Sequence, residues 1–442
     1  MNSLLDSPDL LEKDKNFVWH PFTQEKKAQT PLWIKSGKGA YLYTDKGEEI
    51  FDAISSWWVT NHGHSHPYIV EKVHEQFKTL EHVIFAGATH EPGVKLAQRL
   101  IDLLPPGFQK VFFSDNGSTA VEVALKIAVQ YWHNIAQNKK KVIAFQHSYH
   151  GDTFGAMSVS ARSPFSEPFN SMLFDVIFVP PPLRRQDWRQ TCKELEKVCE
   201  KHTDIAAFIY EPLVQGAGGM LMQDSLGLQE CIKIAKEHKI ICIADEVMTG
   251  FGRTGKIFAS DHLEEKPDII CLAKGLTGGS LPLSTTVCKK WIYDAFYSED
   301  SQKALYHGHS FTGNLLGCAA AHASLDLLEK AECISQIEKI GRFHKQFVEQ
   351  IQNSKLNEVF SDLRIQGTIL ACEFKTKEST GYFNHLRNSM TKFFLGQGVL
   401  LRPLGNVIYC IPPFCSEEKD LQKVYKSIVL FAEKLRKQHE YA

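Results

Sequence analysis

Six short apolar runs, at residues 110–113, 142–145, 176–179, 206–210, 240–244 and 269–273, alternate with longer stretches in which apolar residues recur at helical spacing. Strands covered on both faces read as unbroken apolar runs, and parallel neighbours need a crossover, usually a helix, between them. The alternation therefore predicts an α/β architecture: a mostly parallel sheet with helices on both faces. Outside it, residues 31–51 show short alternating runs broken by Gly37, Gly39 and Gly47, which predicts a small antiparallel sheet packed against a later part of the chain. Val70, Val73, Phe77 and Leu80, then Val94, Leu96, Leu100 and Leu103, follow helical spacing. Beyond Gly313-Asn314 we expect one long helix over residues 319–340, strands at 369–374 and 407–411, and a terminal amphipathic helix carrying Leu421, Val424, Ile428, Phe431 and Leu435. The expected division is an N-terminal segment 1–60, a large domain 61–325 and a C-terminal small domain 326–442, the two termini together forming the smaller α+β domain.

Charge and cysteine usage narrow the function classes. Fifty basic residues against fifty-one acidic leave a formal charge of -1, so no global basic field favours nucleic acid or an anionic membrane. The first fifteen residues carry Asp6, Asp9, Glu12 and Asp14 and lack the basic flank and apolar core of a signal peptide. No run approaches transmembrane length. The eleven cysteines form no Cys-x-x-Cys pair and are expected to be reduced, which points to the cytoplasm.

In an open α/β sheet, ligands sit outside the carboxyl ends of the strands. The last apolar run ends in Lys274, directly before Gly275 and Gly278-Gly279. Burial there disfavours the ammonium, and a neutral amine is the nucleophile that forms Schiff bases with carbonyl compounds; the alternative is a solvated lysine closing the strand. Asn116-Gly117-Ser118-Thr119 follows another run and opens a helix, offering free N–H groups to a phosphate, or simply a turn and N-cap. Tyr149 follows a third run, where its ring can lie on a planar cofactor or pack in a core or interface. Asp245 follows Ile-Cys-Ile-Ala, and a carboxylate so placed needs a cation: a protonated ring nitrogen, a helix terminus or Arg253. Since 274 - 245 = 29 residues is about one helix-and-strand unit, Asp245 and Lys274 can emerge on neighbouring strand ends. Together these groups describe a pyridoxal phosphate site.

Asp245-Glu246 with Gly250-Phe251-Gly252-Arg253-Thr254-Gly255, and Lys274-Gly275 with Thr277-Gly278-Gly279, resemble the signature of class III aminotransferases of fold type I, the aspartate aminotransferase-like fold. The resemblance covers most of the chain. It implies a seven-stranded, mostly parallel sheet, a homodimer, and pyridoxal 5'-phosphate bound to Lys274, with Asp245 on the ring nitrogen and Tyr149 stacked on the ring. It further implies that Gly117, Ser118 and His150 contact the cofactor together with Ser310 from the other subunit. Phe22, Trp57, Trp58, Asp152, Arg253, Gly308, Arg402 and Tyr409 would contact substrate, with Arg402 clamping a carboxylate.

Trp19-His20-Pro21-Phe22-Thr23, Ser55-Ser56-Trp57-Trp58, the stretch from Tyr149 to Ser158, the stretch from Glu211 to Met220, and Arg402-Pro403 with Tyr409 are similar to the branch of that family serving biotin biosynthesis. This implies amino transfer to 8-amino-7-oxononanoate, giving 7,8-diaminononanoate, with S-adenosyl-L-methionine as donor. Members using that donor usually carry tyrosine where this chain has Phe22, and members using lysine carry phenylalanine. Lysine as donor, or another class III omega-aminotransferase, therefore stays open. A reading from a different class takes His62, His64 and His66 as metal ligands of a hydrolase, but Gly63, Pro67 and the lack of accompanying carboxylates favour a turn, so no metal is expected.

Overall fold

The computed structural model describes residues 7–378 and 380–438. Its largest sheet has seven strands, β1 Phe108–Ser114, β2 Lys141–Phe145, β3 Val176–Val179, β4 Ile205–Tyr210, β5 Ile241–Asp245, β6 Ile269–Leu272 and β7 Ser284–Lys289, in the order β1-β7-β6-β5-β4-β2-β3. The six predicted runs are all strands of this sheet. The seventh, β7, wedges between β1 and β6 and is antiparallel to both. Its sequence, Ser-Thr-Thr-Val-Cys-Lys, lacks an apolar run, yet its first five residues are buried. A buried hydroxyl is tolerated when it is hydrogen-bonded: Thr286 Oγ1 donates to the carbonyl of Ala120 at 2.7 Å. Apolar patterning cannot register a strand satisfied that way.

Strands Ile34–Lys38, Tyr41–Thr44 and Glu49–Asp52 form the expected antiparallel sheet. The later segment it packs against is Val399–Leu400, added parallel to Glu49–Asp52 with Val399 opposite Phe51, so strands from both ends of the chain share one sheet. Phe360–Gln366, Ile369–Phe374 and Val407–Cys410 make a three-stranded antiparallel sheet. The helix Glu418–Gln438 buries Leu421, Val424, Ile428, Phe431 and Leu435, and Phe431 meets Phe374 edge-on at 5.3 Å.

Two expectations need correction. Residues 319–340 are not one helix: Leu315–Leu328 ends, Lys330 takes extended backbone (φ -67°, ψ 138°), and Ala331–Gln352 starts anew. The first of these is apolar nearly all round and buried, whereas the second is amphipathic, so the break lets each meet a different environment. In the helix Pro67–Thr79 the expected apolar stripe lies partly in solvent: Ile69 is buried, while Val70 and Phe77 are 57% and 61% exposed.

His344 is sealed between the helix Ala331–Gln352 and the terminal helix. Its Nε2 donates to the carbonyl of Thr368 at 3.1 Å, and its Nδ1 accepts from the Tyr425 hydroxyl at 2.8 Å. Burial pushes the imidazole down to about 4. The folded group therefore stays neutral where the unfolded one protonates, so its stabilisation is complete above about 6.5 and is lost as pH falls from there toward 4. Denaturant titrations should show stability falling by on the order of 1–3 kcal/mol across that window, and His344→Phe should flatten the slope; an unchanged slope would refute the assignment.

Candidate active site

Asp245 is the last residue of β5 and pairs in register with Cys271 of β6; Lys274 comes three residues after that partner. Both groups therefore leave the sheet at the carboxyl ends of adjacent parallel strands. Lys274 opens a short 3-10 turn, Lys274–Thr277, with φ +50°, a left-handed conformation that costs a residue with a Cβ about 1–2 kcal/mol. Gly275 follows because a Cβ there would lie 2.5 Å from Nδ2 of Asn61, which donates to the Phe251 carbonyl at 3.1 Å. Nζ of Lys274 sits 4.7 Å from the centre of the Trp58 ring. Burial pushes the amine down to about 8 against the opposing pull of the Asp245 and Glu211 carboxylates.

Asp245 is buried and does not pair with Arg253. Its Oδ2 accepts from His150 Nδ1 at 2.7 Å and its Oδ1 from the Val247 N–H at 3.1 Å. Each oxygen thus retains lone-pair capacity for one further donor. Glu246, beside it in sequence, turns the other way and takes the N–H groups of Ala259 and Ser260 at 2.6 and 2.7 Å, a purely architectural task. Tyr149 hangs from the loop after β2, and its N–H donates to Glu211 Oε2 at 3.1 Å. Burial first, then the Asp152, Asp245 and Glu211 carboxylates, hold its phenol well above the usual value, so it stays a neutral donor.

The helix Gly117–Asn134 starts beside these groups. Asn116 caps it by accepting from the Thr119 N–H at 3.0 Å, and Thr119 returns the bond, which leaves the N–H groups of Gly117 and Ser118 outside the capping box. Ser118 Oγ lies 2.7 Å from Thr153 Oγ1, whose own proton goes to Glu122 at 2.5 Å. A carboxylate only accepts, so Thr153 must accept from Ser118, and the Ser118 hydroxyl proton is already committed. At Gly151, φ is +133° and a Cβ would fall 2.2 Å from Ser118 Oγ. Gly151→Ala should therefore cost about 2–4 kcal/mol from strain and overpacking, read by denaturant titration; a stability equal to the parent's would show that the loop can move aside.

The other wall comes from the segment after Glu49–Asp52 and from the C-terminal part of the chain. Trp58 is buried and meets Tyr409 edge-on at 5.9 Å; Trp57 carries the Arg402 guanidinium 4.5 Å over its ring and Phe22 edge-on at 5.6 Å. Arg253 is enclosed: Nη1 donates to the Pro412 carbonyl at 2.8 Å, the group lies 5.0 Å over Phe414, and Nε and Nη2 have no partner among the described residues. Burial pushes it down to about 9. Asp152, Gly308 and Ser310 are exposed. The 307–313 segment is tied to Lys126, Phe112, His82 and Phe85 rather than to Lys274 or Asp245.

Residue patterns missed three groups: Glu211, which holds the Tyr149 and Gly216 N–H groups; Glu122 with Thr153; and Asn61. A signal existed for Glu211, a carboxylate directly after the apolar strand β4, the same reasoning that singled out Asp245. The histidines behave as packing groups: His62 faces Ser324 at 3.2 Å, His64 donates to Asp52 at 2.9 Å, and His66 stands at the N-terminal boundary of the helix Pro67–Thr79 with no side-chain capping bond. No metal-binding cluster of His, Cys, Asp or Glu occurs among the described residues. All eleven cysteines are free thiols.

A profile described as Aminotransferase class-III matches residues 22–431. A Synechococcus elongatus protein named adenosylmethionine-8-amino-7-oxononanoate aminotransferase is 48% identical, over 93% of this chain and 97% of its own. Its namesake in Helicobacter pylori is 37% identical, over 97% and 99%. The crystal structure of the protein so named from Methanocaldococcus jannaschii superposes with a TM-score of 0.90 at 36% identity, covering 96% of this chain and 99% of that one. An omega transaminase of Pseudomonas jessenii, solved in complex with PMP, gives 0.91 at 26% identity, covering 98% and 99%.

Proposed function

The chain belongs to the class-III aminotransferase family, and from that premise we propose that it carries an amino group from S-adenosyl-L-methionine to 8-amino-7-oxononanoate, yielding 7,8-diaminononanoate for biotin synthesis, with pyridoxal 5'-phosphate as cofactor. The observation that carries the reading is the pairing of a lysine amine lowered to about 8 with a buried carboxylate at adjacent strand ends.

The residues fit this cofactor. The Gly117 and Ser118 N–H groups at a helix start suit its phosphate, Asp245 has an oxygen lone pair for a ring N–H, and Gly151 and Gly117 keep the approach open where a Cβ would strike Ser118 or Val247. When bound, pyridoxal phosphate supplies an aldehyde for amine exchange and a ring that takes up electrons from a carbon losing its proton. The protein does the rest. Lys274, neutral for a useful fraction of the time near neutral pH, would hold the cofactor through its amine and, once freed, serve as the base that accepts and returns the donor's proton. Asp245, oriented by His150, would hold the ring nitrogen and keep it protonated. Tyr149 would cover the ring while its phenol remains a hydrogen-bond donor. Arg402, steadied on Trp57, aligns the substrate carboxylate as a planar two-pronged donor. Because donor and acceptor use one site in turn, the kinetics are ping-pong.

A homodimer fits the same reading. Val70, Phe77, Tyr306 and Phe311 expose large apolar area, and Ser310, remote from its own Lys274, would reach the cofactor phosphate of the partner. No helix among the described residues is long and apolar enough to cross a membrane, and we place the enzyme in the cytoplasm.

Single-turnover spectroscopy tests the proposal. Adenosylmethionine should convert the pyridoxal form to the pyridoxamine form, and 8-amino-7-oxononanoate should convert it back; conversion only by lysine or 4-aminobutyrate would overturn the donor. Arg402→Ala should raise KM for the oxo acid by roughly 10- to 150-fold, matching the loss of a charge-assisted pair worth about 1.5–3 kcal/mol. An unchanged KM would remove Arg402 from that role.

A further inference from the structure

The aromatic wall of the site does not stop at Trp57. Phe22 bridges it to Phe165, with centroids 5.9 Å apart; Phe165 then meets Tyr382 edge-on at 4.9 Å and stacks on Phe383 at 5.4 Å and 27°. Two guanidinium groups frame this outer cluster. Arg387 lies 4.1 Å over the Tyr382 ring and donates from Nη2 to its hydroxyl at 2.7 Å, while Arg402 Nη2 stands 3.5 Å from the same oxygen. Burial grades outward along the row: Trp58 is 5% exposed, Phe165 40% and Phe383 67%. The row of ring contacts therefore runs from Trp57, next in sequence to the Trp58 that Lys274 faces, to the exposed rings of Phe165 and Phe383.

We propose that Phe165, Tyr382 and Phe383 form the subsite for the adenine of the adenosyl amino donor, and that this outer subsite, not a hydroxyl at position 22, selects the donor. The proposal rests on the transfer reaction inferred above. Its chemistry is that of a planar heteroaromatic ring: ring faces stack with a base irrespective of its edge pattern, and guanidinium planes offer fixed N–H donors to ring nitrogens. A donor reacting at Lys274 while resting on this cluster must carry its amine at one end and a flat apolar group at the other. Adenosylmethionine does; lysine, an aliphatic chain ending in a second ammonium, has no planar base to stack on these rings. Phe22, lacking a hydroxyl, serves as the apolar link between the inner and outer rings, and the phenol of Tyr382 is the hydroxyl of the cluster.

The test compares two substrates of the holoenzyme in single-turnover absorbance: adenosylmethionine, and 7,8-diaminononanoate, which has no base. Phe165→Ala and Tyr382→Ala should each shift the ratio of their apparent dissociation constants against adenosylmethionine by roughly five- to 150-fold, the range of a lost stacking partner, and Phe165→Trp should restore it. A general loosening of the fold would move both constants together. On the unaltered enzyme, adenosine should compete with adenosylmethionine. Conversion by adenosylmethionine with an unshifted ratio, or with no inhibition by adenosine, overturns the subsite alone. Conversion by lysine and not adenosylmethionine overturns the donor, and the subsite with it.

Discussion

Lys274→Ala is expected to lower turnover by roughly 10,000-fold or more, because one substitution removes both the group proposed to hold the cofactor and the base proposed to shuttle the proton. The fold should persist. Alanine meets the same left-handed backbone at φ +50° as lysine does, and it removes an amine whose burial opposes its charge. Two readouts separate this from a folding defect: the visible absorption of the lysine-bound cofactor should vanish, while the circular dichroism and thermal midpoint stay near those of the parent. A variant still cycling within tenfold of the parent would remove Lys274 from the mechanism.

Asp245→Asn should cost the next largest factor. Asparagine preserves shape and still accepts from one of the two donors, but its amide NH2 meets His150 Nδ1 only when the imidazole proton moves to Nε2, so the loss combines the carboxylate's charge with the turned His150 bond. Removing one member of a buried charged pair costs about 3–5 kcal/mol, or roughly 100- to 4,000-fold in rate if felt in the transition state. We expect it in kcat, with a smaller weakening of cofactor affinity, since the phosphate contacts proposed for the Gly117–Asn134 helix are untouched. Activity within a few-fold of the parent would show that the ring nitrogen does not depend on Asp245. His150→Ala should give a fraction of the same loss, because it frees the carboxylate without neutralising it.

Six strands of the large sheet were legible because they carry apolar runs, and burial writes itself into such sequences directly; their order was not. β7 escaped because its buried positions are filled by hydroxyl side chains, of which Thr286 finds the Ala120 carbonyl only after folding. The two helices at Leu315–Leu328 and Ala331–Gln352 merged into one for a related reason: no glycine or proline marks the turn at Lys330. At the site, Lys274, Asp245 and Tyr149 stood out because strand ends are where an α/β sheet exposes chemistry. Glu122 and Thr153 could not, since Glu122 lies mid-helix and gains its meaning only from a loop 31 residues away.

What the sequence by itself determined is the set of groups on offer: a lysine, an aspartate and a glycine-serine helix start at the ends of apolar strands, in an order and spacing that suit a pyridoxal phosphate site. What the tertiary structure alone decided is the state of those groups. That Asp245 answers to His150 and not Arg253, that the Ser118 hydroxyl is spent on Thr153, and that the rings at 22, 57, 165, 382 and 383 form one row all depend on distances between segments far apart in the chain. Local sequence fixes which atoms a residue offers; only packing fixes which partner reaches hydrogen-bonding or stacking distance, and that choice sets charge, orientation and the room left for a ligand.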